Sequence, residues 1–293
     1  MNRGILLAIA LAVAAALVAG IILSSRDSSA FNWERTYDAA ITRARAEDRH
    51  MIAYLYTDWC TYCRQMEAET FADDRVRAEA GRYVWLKLNP EKEADGARLH
   101  RQFEVAGYPT ILIFDKQGRR VDQMEGFLPP EQFLSALAAM ISGPDSLPAL
   151  EARAAEAPES GEAQYALASK YLALSDYKSA AEAFSKAIAL DPDNRESRTE
   201  LAYYHLAVCL ASDRQQSKAN ETLDRFARLY PESQLAADAL ILRGQVYYHE
   251  GDLTRSTHAF ESFLQKYPRH EKAALVKRML AEVHQEAPLR SAH

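Results

Sequence analysis

The sequence is poor in cysteine and has no excess of positive charge. Only three of its 293 residues are cysteine, which argues against a scaffold held together by several disulfides. Lysine and arginine number 35 against 41 acidic residues, for a formal net charge of −6, so no basic face for nucleic acid is predicted. The composition, 48% hydrophobic and 26% charged, is that of a globular protein long enough for two domains.

Two of the three cysteines lie together in the segment WCTYC, residues 59–63, just after the apolar run 51–56. The run predicts a strand and the following residues predict a helix. Cys60 is therefore expected at a helix N-terminus, where unpaired N–H groups and the helix dipole favour a thiolate. Cys63 would lie one turn away, close enough to form a disulfide with Cys60. The spacing predicts a redox pair.

Three other uses of the pair remain open. Attachment of a c-type haem requires histidine after the second cysteine, but residue 64 is Arg. Structural zinc requires four ligands, and the remaining cysteine, Cys209, is distant in sequence with no paired histidine motif nearby. A purely structural disulfide is the plainest alternative, although so short a loop contributes little stability by closure. We favour redox exchange that needs neither a metal nor another cofactor.

An apolar segment near the N-terminus predicts the cellular location of the protein. Residues 4–23 carry no charged side chain, and about 20 such residues form a helix about 30 Å long, enough to span a bilayer. We favour an uncleaved anchor, with cleavage after Ala30 as the alternative, because Ser28 and Ala30 are both small. Arg3 predicts that the N-terminus stays in the cytosol. Residues 1–30 would then hold the chain at the inner membrane, with the soluble domains in the periplasm or otherwise outside the cytosol.

Residues 31–142 alternate between helical and strand patterns, which predicts an α/β domain. Helical spacing begins at Trp33, and Pro129 is placed to open the last helix. The predicted helices are 33–49, 60–70, 94–103 and 129–141, and the predicted strands are 51–56, 83–88, 110–114 and 121–124.

This order, with the cysteine pair at the carboxyl end of a strand, resembles the thioredoxin fold. In thioredoxin-like proteins a proline just before the third of these strands is cis and packs beside the two sulfurs, and Pro109 occupies that place. An ordinary trans proline is the alternative. Beside a cis bond, the backbone of Tyr108 could pair with an extended peptide. We expect Trp59, Tyr108 and Thr110 to position the substrate.

Several short motifs make the resemblance more specific. The segments 58–67, 70–76, 107–115 and 126–127 resemble the C-terminal thioredoxin-like domain of DsbD-type thiol:disulfide interchange proteins. This resemblance implies dithiol exchange outside the cytosol, with Cys60 as the nucleophile and Cys63 as the resolving thiol. It also implies a catalytic role for Pro109.

One residue departs from that family. Thioredoxins and this subfamily have a buried acid six residues before the nucleophile, whereas this chain has Tyr54 there. Glu67, seven residues after Cys60, does match an acid of the subfamily. We therefore expect Glu67, directly or through water, to assist proton transfer at Cys63, with the Tyr54 hydroxyl as a weaker candidate. A solvated helix face is the alternative for Glu67.

The second half of the chain has a helical repeat. After a linker at 143–160 that contains a helix, a tetratricopeptide (TPR) pattern of about 34 residues begins at Gly161. It recurs over 161–194, 200–233 and 237–270, and a capping helix follows to residue 285. Cys209 is expected to be an inert buried thiol. Some aromatic and histidine side chains could line a peptide groove, namely Tyr203, Tyr204, His205, Tyr247, Tyr248 and His249.

Together these features predict an exported, membrane-tethered thiol:disulfide oxidoreductase, and the family resemblance implies that it acts as a reductase. Its expected partners are protein disulfide substrates, a redox partner that supplies or accepts electrons, and a protein or peptide bound by the repeats. The alternative is a cell-envelope TPR scaffold in which the thioredoxin-like domain is regulatory or vestigial.

Overall fold

The computed structural model describes residues 31–195 and 198–290. The predicted anchor at 4–23 lies outside these residues. The chain divides into two compact units, the first ending at Ala149 and the second starting at Leu150.

The first unit is a mixed α/β fold, as predicted. Its strands are β1 (Trp33–Glu34), β2 (Met51–Leu55), β3 (Val84–Leu88), β4 (Thr110–Phe114) and β5 (Arg120–Glu125). Its helices are α1 (Tyr37–Glu47), α2 (Thr61–Gln65), α3 (Asp74–Ala80), α4 (Ala94–Gln102) and α5 (Pro130–Ser142). A π-helical turn, Met66–Thr70, continues α2.

The five strands form one sheet in the order β1-β3-β2-β4-β5. The first three in this order run parallel, and β4 and β5 are antiparallel to their neighbours. Every residue of β2 and β4 is buried, as expected of central strands covered on both faces. Leu55, the last residue of β2, pairs with Thr110, the first of β4. The segment after β2 and the segment before β4 therefore meet at one edge of the sheet.

Trp33 begins a strand, so the prediction that a helix starts there is wrong. Trp33 pairs in parallel with Trp85 of β3, and its ring lies 5.4 Å from that of Phe71. The helix α1 starts instead at Tyr37, because the Thr36 side chain caps it by accepting the Ala39 N–H at 3.3 Å. Contacts with residues distant in sequence outweigh the local periodicity at this position.

The second unit is helical. Its helices are α6 (Leu147–Glu156, which spans the division between the units), α7 (Gly161–Ala173), α8 (Tyr177–Leu190), α9 (Thr199–Ser212), α10 (Gln216–Leu229), α11 (Ala236–Glu250), α12 (Leu253–Lys266) and α13 (Ala273–Arg290). The pairs α7/α8, α9/α10 and α11/α12 begin within one residue of the predicted repeat starts.

Small side chains let the paired helices approach closely. Ala168 and Phe184 are fully buried in one cluster, and Ala207 and Leu223 are buried in another. The equivalent position in the third repeat is Gly244, whose carbonyl accepts the buried Ser256 hydroxyl at 2.8 Å. These contacts agree with the small and aromatic positions of the predicted repeats.

One stretch of the described residues, Pro130–Glu156, is long and apolar enough to cross a membrane by length and composition. It consists of α5 and α6, with a break between Ser142 and Leu147. Phe133 and Leu137 of α5 are buried in the first unit. These side chains pack inside the protein.

Candidate functional site

The cysteine pair lies where β2 turns into α2. Cys60 is the N-cap residue of α2, with extended backbone (φ −71°, ψ 108°), and its Sγ accepts the N–H of Cys63 at 3.0 Å. A donated N–H and the positive end of a helix both favour a thiolate over a thiol. The local geometry therefore suits Cys60 to nucleophilic attack once the pair is reduced.

The two sulfurs are joined in a disulfide, with a Cα–Cα distance of 5.2 Å. Both residues are nearly buried, since Cys60 is 4% exposed and Cys63 is 1% exposed. Access to the sulfurs is therefore controlled by the side chains around them.

Pro109 lies on the segment that leads into β4, at the same edge of the sheet. The Tyr108–Pro109 peptide bond is cis, as the resemblance implies. Pro109 is held in place by its carbonyl, which accepts the Gly126 N–H at 2.8 Å. The Thr110 hydroxyl donates to the carbonyl of Gly107 at 2.7 Å, which closes the turn around the proline.

Aromatic side chains surround the pair. Trp59 is 65% exposed and Tyr62 is 61% exposed, although both are large aromatic residues. The ring of Trp59 lies 6.3 Å from that of Tyr108, whose hydroxyl is 2.9 Å from Nδ1 of His100. These rings form an apolar rim beside the disulfide, as expected of a surface that contacts another protein.

The loop after β3 holds the cysteine segment, a contact that the sequence analysis missed. Trp59 Nε1 donates to Oε1 of Glu91 at 2.9 Å, and Asn89 Nδ2 donates to Oδ1 of Asp58 at 3.1 Å. Lys92 forms an ion pair with the other oxygen of Asp58. The segment 89–93 follows directly after a strand and is mostly polar, which predicts a loop. The residues that this loop contacts depend on the order of the strands in the sheet.

Tyr54 takes the place of the expected buried acid and is itself fully buried. Its hydroxyl lies 3.2 Å from the carbonyl oxygen of Cys63 and 3.3 Å from Oε1 of Glu67. Glu67 also accepts from Lys87 Nζ at 2.9 Å. The structure thus brings Tyr54 and Glu67 together beneath the pair and adds Lys87. Lys87 is the only charged residue of β3, which is otherwise apolar. A single charge in an apolar strand could have indicated this contact from the sequence.

Burial raises the pKa of Tyr54 far above its usual value, and the negative charge of Glu67 raises it further. The Tyr54 hydroxyl is therefore protonated at physiological pH. Burial also raises the pKa of the free thiol of Cys209 to about 12, which keeps this thiol protonated, in line with the inert buried role expected of it.

Three of the predicted groove residues line grooves of the second unit. Tyr204 and His249, both predicted groove residues, line a groove of about 500 Å³ formed by α9, α11 and α13. Tyr203 lines another, of about 940 Å³, formed by α8, α9 and α10. Over residues 31–195 and 198–290, no three His, Cys, Asp or Glu side chains are grouped as metal ligands.

Three family models match parts of the chain. Residues 37–141 match a thioredoxin-like domain, residues 161–194 match a tetratricopeptide repeat, and residues 199–288 match a family described as outer membrane lipoprotein.

Curated relatives match the first of these parts. The thiol:disulfide interchange protein DsbD of Yersinia pestis (strain Pestoides F) is 36% identical over 97 residues, 32% of this chain. DsbD of Ralstonia nicotianae is 36% identical over 102 residues, 34% of this chain. This chain spans only 16% and 17% of the length of these relatives.

Among solved structures, the oxidised C-terminal domain of Neisseria meningitidis DsbD is 22% identical, with a TM-score of 0.30 over 34% of this chain and 89% of that one. Residues 37–141 thus form a thioredoxin-like domain similar to part of the DsbD-type thiol:disulfide interchange proteins, and TPR-like repeats follow it.

Proposed function

We propose that this protein is a thiol:disulfide oxidoreductase that acts through Cys60 and Cys63 on protein disulfides. The observation that carries the proposal is the position of the Cys60–Cys63 disulfide at the start of α2, with Sγ of Cys60 accepting a helix N–H. The similarity of residues 37–141 to thioredoxin-like domains supports it.

The disulfide bond is exchanged through the two cysteines. In the reduced protein, the Cys60 thiolate attacks a client disulfide, forms a mixed disulfide, and releases one client thiolate. Cys63, once deprotonated, attacks Sγ of Cys60. This attack closes the Cys60–Cys63 bond and releases the second client thiolate, and both client thiolates take protons from solvent. The client is reduced by two electrons and the protein is oxidised by two.

The side chains around the pair suit an extended client segment. We assign Trp59, Tyr108 and Thr110 to positioning that segment, and Pro109 to shaping the backbone beside the sulfurs. The exposed Trp59 ring offers an apolar contact, and we expect the backbone at Tyr108 to pair with a client strand.

We further assign a reductive direction, export, and a membrane tether at residues 4–23. The similarity to DsbD-type proteins and the match to an outer membrane lipoprotein family support an envelope location. The repeats would bind a protein partner and thereby raise its local concentration near the pair.

Substitution of Cys63 by alanine is expected to trap clients. Cys60 can still attack, but without the resolving thiol the mixed disulfide persists. Non-reducing gels followed by mass spectrometry of the full-length Cys63→Ala protein from cells should therefore show covalent adducts through Cys60. The matched control, Cys60→Ser/Cys63→Ala, should show none; equal adducts in both variants would contradict the proposal.

Substitution of Glu67 by glutamine is expected to slow resolution of the mixed disulfide. The carboxylate lies against the hydroxyl that contacts Cys63, so its loss removes a proton acceptor. Exchange rates measured across pH should fall by about 100-fold at neutral pH. Glu69→Gln, on the same helical turn, is the control; unchanged kinetics across pH in Glu67→Gln would exclude Glu67 from the mechanism.

A cell-envelope scaffold is the second candidate function. The match of residues 199–288 to an outer membrane lipoprotein family favours it. A chromosomal Cys60→Ser substitution in the full chain separates the two, because a scaffold keeps its cellular function without the nucleophile whereas an oxidoreductase loses it.

A further inference from the structure

The position below the resolving cysteine is filled by a phenol in place of a carboxyl group. Tyr54 is fully buried at the centre of the sheet, and its ring is held by the rings of Phe71 at 5.0 Å and Tyr56 at 5.7 Å. Its single hydroxyl hydrogen has two acceptors within reach, the carbonyl of Cys63 and Oε1 of Glu67. The hydroxyl therefore links the backbone of the resolving cysteine to a carboxylate.

Lys87 contacts the same oxygen of that carboxylate as the Tyr54 hydroxyl does. Its Nζ is 2.9 Å from Oε1 of Glu67, and the side chain is only 16% exposed. The ammonium lies 4.5 Å from the centre of the Tyr56 ring and 5.8 Å from that of Tyr54, so two aromatic faces also hold it. Glu67, whose side chain is 40% exposed, retains contact with solvent.

The hydroxyl cannot hold a negative charge for long. Its pKa is raised by burial and by the charge of Glu67, which disfavour the phenolate. A group of this kind transfers a proton only if it gains one proton as it loses another. The geometry suits such an exchange, because the hydroxyl lies 3.2 Å from the main-chain carbonyl oxygen of Cys63 on one side and 3.3 Å from a solvent-accessible carboxylate on the other.

Building on the proposed dithiol exchange, we propose that Tyr54 and Glu67 form a proton relay that replaces a buried acid, and that Lys87 positions Glu67 within it. As Cys63 Sγ attacks Sγ of Cys60, the Cys63 thiol proton passes to Tyr54 Oη while the Tyr54 hydroxyl proton passes to Glu67 Oε1. The S–S bond of the mixed disulfide breaks, and the client thiolate leaves with its electron pair and takes a proton from solvent. Glu67 then returns its proton to solvent, so atoms and charges balance.

Lys87 and Tyr56 face this relay. Lys87 pairs with Glu67, and Tyr56, which follows the end of β2, stacks on Tyr54. Burial raises the pKa of Tyr56 as well, so Tyr56 is neutral where the relay works.

The test separates attack from resolution in the full-length reduced chain. An aromatic disulfide, dithiobis-nitrobenzoate, releases one coloured thiolate when Cys60 attacks and a second when Cys63 resolves, and only the second phase is independent of reagent concentration. Tyr54→Phe should slow the second phase by about 100-fold at neutral pH and leave the first unchanged. Tyr56→Phe, which removes a hydroxyl two residues away, is the matched control.

The positioning role of Lys87 is tested by a measurement that a purely structural role would leave unchanged. Lys87→Met should slow the second phase and shift its pH profile, and Lys87→Arg, which keeps the cation, should restore both. Because one relay is involved, Tyr54→Phe/Glu67→Gln should be no slower than the slower single variant.

Equal second-phase rates and pH profiles in Tyr54→Phe and Tyr56→Phe would overturn the relay, as would additive effects in the double variant. Failure of the proposed function looks different, because the first phase would then be no faster than in Cys60→Ser.

Discussion

Substitution of Cys60 by serine is expected to abolish the catalysis of insulin reduction by dithiothreitol that the proposed function predicts. A serine hydroxyl remains protonated at neutral pH, and this site offers it no adjacent base as an activator, so the attacking thiolate is lost. The fold should survive, because serine is among the preferred N-cap residues and can accept the Cys63 N–H as Sγ of Cys60 does. A loss of activity in this variant would therefore reflect the missing thiolate and not unfolding of the domain.

Insulin precipitation in the presence of the full-length protein measures this effect. Cys209→Ala is the matched control, since the Cys209 thiol is buried and its pKa is raised to about 12. This variant should reduce insulin at the wild-type rate. If Cys60→Ser stays as active as Cys209→Ala, the Cys60–Cys63 pair is not the redox centre.

Substitution of Gly244 by alanine is expected to destabilise the third repeat. A Cβ at this position would lie 2.3 Å from Cε1 and 2.6 Å from Cδ1 of Phe260, far inside van der Waals contact. Phe260 is 1% exposed, so its ring has little room to move. Overpacking of this kind costs about 1–3 kcal/mol, and we expect the free energy of unfolding of the second unit to fall by about 2 kcal/mol.

Urea unfolding followed by helical circular dichroism measures this change. The second repeat suggests the compensating control, because Ala207 and Leu223 occupy the equivalent positions there. Gly244→Ala/Phe260→Leu should therefore recover most of the lost stability. Insulin reduction should be unaffected in both variants, because the dithiol site lies in the first unit. A stability equal to wild type in Gly244→Ala would show that α11 and α12 can separate at no cost.

Local patterns predicted most of the first unit. The continuous apolar runs around Tyr54 and Leu112 predicted β2 and β4 because central strands are apolar on both faces. The helix α3 was missed, although Asp73 was a readable start signal: its side chain accepts the Arg75 N–H at 2.9 Å and caps the helix. Regular helix was expected up to Thr70, but the last turn is π-helical, with the Phe71 N–H donating to the carbonyl of Met66.

The sequence predicted only part of the candidate site. Local spacing predicted that Cys60 and Cys63 could form a disulfide, and the resemblance to the thioredoxin fold predicted the cis bond before Pro109; their catalytic roles remain predictions. Glu67 was found through family resemblance, and its role remains a prediction. Lys87 was not found, because it approaches Glu67 only when β3 pairs with β2.

The amino-acid sequence alone was sufficient to predict the cysteine pair, the strands β2 to β5 and the helical repeats, since each depends on neighbours within a few turns of chain. Folding in three dimensions was needed for the strand at Trp33, the loop contacts of Asp58 and Trp59, and the joining of Tyr54, Glu67 and Lys87. Those features depend on which strands lie side by side, and burial and pairing between distant segments determine that arrangement.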